Sequence, residues 1–89
     1  MRVTVTVHYF GPAKDAAGAA SERLALDARD AAAPPTAAAL LALLSARYPH
    51  AAALLLHSCV LARDDAYLDH AAPLADGDHV AVIPPVSGG

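Results

Sequence analysis

Residues 2–10 read RVTVTVHYF, in which Val3, Val5, Val7 and Tyr9 alternate with Arg2, Thr4, Thr6 and His8. Successive side chains of a strand point to opposite faces, so this period of two, built from β-branched and aromatic residues, predicts a strand with one buried face. The pattern stops at Gly11-Pro12. Residues 11–20 mix small and charged side chains around Gly18, which predicts a loop with room for one helical turn. Alternation resumes over residues 22–28, where Leu24, Leu26 and Ala28 share one face, so this segment is expected to pair antiparallel with the first as a hairpin.

Pro34-Pro35-Thr36 then reads as a helix start, because the prolines cannot continue a ladder and the Thr36 hydroxyl can accept from an amide of the first turn. Ala37, Leu40, Leu41, Leu44 and Tyr48 lie on one stripe of a 3.6-residue helix, and Pro49 ends it, which predicts one main helix over residues 37–48 packed on the hairpin. Residues 51–56 (AAALLL) fit either a helical turn or the approach to a strand. A strand is expected over residues 57–63, a polar turn at Arg63-Asp64-Asp65-Ala66, and a brief strand at Tyr67-Leu68. A reversal over residues 73–78 should lead into a last apolar strand, His79 to Ile83. The order is thus ββ, α, then two or three strands, an α+β domain.

Composition bounds the function. At 89 residues the chain fits one domain; 24 residues are alanine, which leaves 26 larger apolar side chains for a small core. A net charge of −3, one Phe and no Trp argue against a nucleic-acid partner. One cysteine permits no internal disulfide, the start Met1-Arg2-Val3-Thr4 lacks a signal core, and no apolar run approaches the ~20 residues of a membrane span. A soluble, cytoplasmic protein with no membrane partner is expected.

The usual catalytic constellations are missing. His8, His50, His57, His70 and His79 have no local metal-ligand spacing and read as solvated or turn residues, so neither a metal nor a stably bound cofactor is expected. Cys59 sits in an apolar run and reads as a small buried hydrophobe. Asp64-Asp65 and Asp76/Asp78 fall in turns, where Asp serves backbone hydrogen bonding. The alanine clusters at 31–33, 37–39 and 51–53 suit helix propensity alone.

The informative segment is the end, Val80-Ala81-Val82-Ile83-Pro84-Pro85-Val86-Ser87-Gly88-Gly89. Two prolines fix φ and withdraw amide donors, so the chain should leave the sheet at Ile83, dividing a domain of residues 1–83 from a projecting tail of residues 84–89. Six extended steps at ~3.1 Å each give that tail a reach of about 19 Å, enough to enter a partner's active site. Gly88-Gly89 removes every side chain near the terminal carboxylate, so those atoms can pass a narrow channel.

The stretch Leu74-Ala-Asp-Gly-Asp-His-Val-Ala-Val-Ile-Pro-Pro-Val-Ser-Gly-Gly89 closely resembles the C-terminal signature of the molybdopterin synthase small-subunit family, the MoaD branch of the MoaD/ThiS ubiquitin-like sulfur carriers. Val3–Phe10 with Gly11, Lys14 and Gly18 is similar to that family's first strand and loop, and Thr36–Pro49 to its helix, so the likeness covers nearly the whole chain. It implies a ubiquitin-like β-grasp: a mixed sheet of four to five strands and one main helix, the last strand parallel to the first at the sheet centre.

The resemblance also implies a chemistry. A carboxylate is a poor acyl electrophile, so an activating partner of the MoeB type would adenylate Gly89 with ATP, and persulfide sulfur would then displace AMP. The Gly89 thiocarboxylate, with Pro84, Pro85, Val86, Ser87 and Gly88 threading the partner's channel, would donate sulfur to cyclic pyranopterin monophosphate in molybdenum cofactor biosynthesis. It would do so inside a MoaE-type large subunit, as a heterotetramer. Acids and bases would belong to that subunit, making this chain a non-catalytic sulfur donor. A hydrophobic sheet patch continuous with Val86 is expected to dock both partners.

Arg63, where the family commonly has Asn, and His79, where it commonly has an acid, are departures. Thiazole carriers end in Gly-Gly but lack Pro-Pro-Val, which favours the molybdopterin branch. The alternatives are a carrier for thiamine thiazole, tRNA thiolation or another sulfur metabolite, a protein modifier, and an inert β-grasp module. With Lys14 the only lysine, chains linked through several lysines are impossible.

Overall fold

The computed structural model describes residues 2–28 and 33–83. Strand β1, Arg2–Tyr9, buries Val3, Val5, Val7 and Tyr9 and turns Thr4, Thr6 and His8 to the other face, as its alternation requires. Helix α1, Pro12–Ala17, follows; β2, Ser21–Asp27, then pairs antiparallel with β1, Val5 opposite Leu24 and Val3 opposite Leu26. Where a loop was expected over residues 11–20, Pro12 opens the helix with its φ already set, and Gly18 closes it in the left-handed conformation at φ 73°.

This segment also contributes to the core through Ala13, which α1 buries. Lys14 points to solvent on the same helix. Lys14→Ala should therefore shift stability by no more than about 0.5 kcal/mol. Ala13→Leu should cost about 1–3 kcal/mol through overpacking. Denaturant melts of the two variants check this, and equal effects would remove α1 from the core.

Helix α2, Ala37–Arg47, buries Ala37, Leu40, Leu41 and Leu44, the stripe read from spacing. The Thr36 hydroxyl accepts from the Ala39 amide at 3.3 Å, the cap expected of it. The helix ends one residue early. Tyr48 adopts φ −124°, ψ 69°, because the ring of Pro49 excludes helical angles from the residue before it. The ambiguous AAALLL stretch is resolved as helix: a 3₁₀ turn, Pro49–Ala51, runs into α3, Ala52–His57, which buries Leu55. The strand expected over residues 57–63 is accordingly shortened, since the amides of Ser58 and Cys59 both cap the Leu54 carbonyl before β3 starts, Val60–Arg63. One main helix is therefore joined by two six-residue ones.

Strand β4, Ala66–Tyr67, returns on β3 through Asp64 and Asp65, whose φ of 53° and 65° make the turn that suits strand twist. The last strand, β5, His79–Ile83, lies between β1 and β3. The sheet order is β2-β1-β5-β3-β4, with β1 and β5 parallel and every other pair antiparallel. This is the β-grasp that the resemblance implied. The helices cover one face, where Val80 and Val82 join Val3, Val5, Val7, Leu61 and Leu74 in one core without a buried polar or charged residue among the described positions.

Glu22 fastens the hairpin to α2. Its Oε1 accepts from the hydroxyls of Tyr9 and Tyr48, each at 2.5 Å, and its Oε2 from Arg47 Nη2 at 3.2 Å. Burial alone would raise the Glu22 pKa, but the hydrogen bonds from Tyr48, Tyr9 and Arg47 outweigh it and hold the carboxyl below its usual range. Burial first, and then Glu22, push the Tyr9 hydroxyl well above its ordinary value. A carboxyl depressed in the folded state stabilises above its unfolded pKa of about 4.3, and that stabilisation is lost as pH falls through the folded value. The melting temperature should thus drop more steeply below about pH 4 in the native chain than in Glu22→Gln. Equal slopes by circular dichroism would show the carboxylate to be irrelevant.

Candidate docking face and tail root

The helices leave the other sheet face open. Its residues are the alternate positions of each strand: Thr4, Thr6 and His8 from β1, His79, Ala81 and Ile83 from β5, Val60 and Ala62 from β3, with Tyr67 from β4. Phe10 is 51% exposed and Tyr67 77%, with Val60 also exposed. Large apolar side chains gathered on one open face make it a candidate docking surface. Phe10, Tyr67, Ala81 and Ile83 line an open groove of about 580 Å³ whose rim carries Asp64 and Asp65. The expected hydrophobic sheet patch is therefore present on the described strands, reaching Ile83.

Ile83 is also the root of the expected tail. It closes β5, the middle strand of the five, paired through Val82 with Tyr9 and through Ile83 itself with Val60. Ile83, where β5 ends, itself lines the groove. The site residues expected in the tail, Pro84, Pro85, Val86, Ser87, Gly88 and Gly89, lie outside the described residues.

The loop entering β5 is fixed by the acids that sequence placed in turns. Asp76 Oδ1 accepts from the Thr4 amide at 2.8 Å, and Asp78 Oδ2 from the Ala75 amide at 2.9 Å. Asp78 also takes Arg63 Nη1 at 2.7 Å, and the same nitrogen donates to the Pro73 carbonyl at 2.9 Å. Arg63 thus ties β3 to the entrance of β5, which gives this departure from the family a structural role. His79, the other departure, meets His8 across the β1–β5 pair, a contact that no local spacing could announce because the two lie 71 positions apart.

Cys59 is buried, and burial pushes its thiol up, away from the thiolate that nucleophilic attack needs. Among the described residues no group of three or more His, Cys, Asp or Glu is poised for a metal, and no single helix is long and apolar enough to cross a membrane.

The sequence matches the ThiS family over residues 7–89. It is 37% identical over 90 residues to the molybdopterin synthase sulfur carrier subunit of Aspergillus niger, covering 97% of this chain and 94% of that one. The fold is similar to the solution structure of small archaeal modifier protein 1 from Methanosarcina acetivorans, with a TM-score of 0.77 at 22% identity, over 100% of this chain and 99% of that one. It is also similar to a chain in the complex of subunits 1 and 2 of molybdopterin-converting factor from Helicobacter pylori. There the TM-score is 0.55 at 27% identity, over 98% of this chain and 100% of that one. With its mixed five-stranded sheet and this full-length likeness, the chain belongs to the ThiS/MoaD family of ubiquitin-like β-grasp proteins.

Proposed function

We propose that the chain is the sulfur-carrier small subunit of a molybdopterin synthase. The observation that carries this reading is the full-length identity to the Aspergillus niger carrier subunit. The Pro84-Pro85-Val86-Ser87-Gly88-Gly89 sequence and the exposed groove beside Ile83 support it.

A MoeB-type partner would use ATP to convert the Gly89 carboxylate to an acyl-adenylate, releasing pyrophosphate. Persulfide sulfur would displace AMP, and a thiol reductant would free the thiocarboxylate. Its anionic, polarisable sulfur is a good nucleophile. Held on a tether inside a MoaE-type large subunit, it would meet cyclic pyranopterin monophosphate at high effective concentration. Two transfers would make the dithiolene, which suits a heterotetramer with two carriers. The large subunit would supply proton transfer. The likeness to one chain of the Helicobacter pylori two-subunit complex supports that partner. ATP is consumed by the activating partner and not held here, and the thiol chemistry suits the cytoplasm.

Intact-protein mass spectrometry after incubation with ATP, the activating enzyme and a sulfur donor tests the reading. The expected result is replacement of one oxygen by sulfur at Gly89, and a chain that never gains that mass with its cognate enzyme overturns it. The second reading, a carrier for another metabolite or a protein modifier, uses the same activated terminus. Sulfur gain without transfer to the pyranopterin, or conjugation of Gly89 to lysines, would favour it.

A further inference from the structure

Strand β2 forms one edge of the sheet, and its pairing with β1 fixes which way its backbone groups point. The Tyr9 amide donates to the Ala20 carbonyl at 2.8 Å, and antiparallel bonding alternates along a strand, so Glu22, Leu24 and Leu26 turn their amides and carbonyls toward Val7, Val5 and Val3. The other side of β1 agrees with this phase, since Thr4 and Thr6 bond there to the loop before β5. The amides and carbonyls of Arg23, Ala25 and Asp27 therefore point away from β1, along the sheet's edge. Their side chains are exposed beside those of Thr6, Thr4 and Arg2 on the open face, while Leu24 and Leu26 are buried on the covered one. Such a row of outward backbone groups is a template for another strand.

We propose that this edge pairs with the same edge of a second copy, antiparallel about a two-fold axis at Ala25. In that register Ala25 exchanges both bonds with Ala25 of the second copy, and Arg23 does so with Asp27 of the second copy and Asp27 with its Arg23. Opposite charges meet twice on the open face, with two methyl groups between them, and on the covered face Leu24 meets Leu26 of the second copy. The charges choose this register. An axis at Arg23 or at Asp27 sets like charges face to face, and one at Leu24 or Leu26 leaves a charge opposite alanine. Asp27 has charge to spare for the contact: its approach to Arg2 is 3.9 Å long, with the two side chains 93% and 72% exposed, and pairs of that kind are worth little.

The pairing would join two five-stranded sheets into one, with the helices of both copies on the same side. Ala62, Tyr67 and Ile83 of the groove stand on β3, β4 and β5, toward the opposite edge, so both grooves stay open in the dimer. The dimer is thus independent of the sulfur-carrier reading. A contact one strand wide falls at the small end of protein interfaces, so monomer and dimer should exchange.

Translational diffusion of the full chain by nuclear magnetic resonance, from about 10 μM to about 1 mM, tests the pairing. Diffusion should slow toward that of a dimer as concentration rises. Arg23→Asp and Asp27→Arg should each weaken self-association at least about 4-fold, because each turns two attractions into two repulsions. Mixed in equal amounts, the two variants should associate as the native chain does, since each supplies the charge the other lacks, and the chain carrying both substitutions should dimerise on its own. Equal melting of the variants keeps the comparison sound, and the native concentration dependence needs no variant. A native chain that stays monomeric throughout, single variants that dimerise as tightly as the native chain, or a mixture no tighter than its components overturns the proposal.

Discussion

A chain lengthened by one residue beyond Gly89 is expected to melt like the native protein and to gain no sulfur. Adenylation needs a terminal carboxyl, and one added residue converts that of Gly89 into an unreactive amide. The core is untouched by the change, because its last members are Val80 and Val82 and its last strand ends at Ile83. Deleting Gly89 should act in the same way, and Gly88→Ala should slow the gain without abolishing it, since a methyl group narrows clearance and restricts backbone angles open to glycine. The measurement is the mass shift under the conditions given above, with thermal melts alongside. An extended chain that gains sulfur as readily as the native one would remove Gly89 from the chemistry.

The second large effect concerns the groove. Phe10→Asp combined with Tyr67→Asp should leave stability nearly unchanged, because both side chains are exposed in the free chain. Both partners should nevertheless bind at least about 30-fold more weakly, the roughly 2 kcal/mol lost when a buried aromatic anchor of an interface is removed. If one face serves both the activating enzyme and the large subunit, the two must also compete for the native carrier. Calorimetric titration against each partner, singly and mixed, gives the answer. Native affinity in the double variant, or simultaneous binding of both partners, would place docking elsewhere.

The parts of this molecule legible in sequence are those where one physical rule acts alone. The alternation from Val3 to Tyr9 needs only the period of a strand, and the stripe from Ala37 to Leu44 only that of a helix. The boundaries that moved are places where rules compete. At His57 to Cys59 the apolar run suits strand and helix alike, and the carbonyl of Leu54, needing donors at a helix end, decided for helix. Ala13 was hidden because alanine reads as neutral until a neighbour covers it. Of the candidate site, Phe10, Tyr67 and Ile83 come together only through strand order, and His8 with His79 only through a parallel pairing that local periodicity does not encode.

That parallel pairing also governs how the chain is made. The sheet's central strand is the last of the described strands in the chain, and it pairs with the first, the loop before it adding bonds from the Thr6 amide to the Asp78 carbonyl and from the Gly77 amide to the Thr4 carbonyl, each at 2.8 Å. A ribosome-bound chain that stops short of β5 has β1 and β3 with no strand between them and two bare edges, so it has no native sheet to close. Closing the sheet must wait for this long-range pairing to form, and pairing across such a separation slows folding. A product truncated before β5 is therefore expected to lack the closed sheet, and with it the groove that Ala81 and Ile83 line.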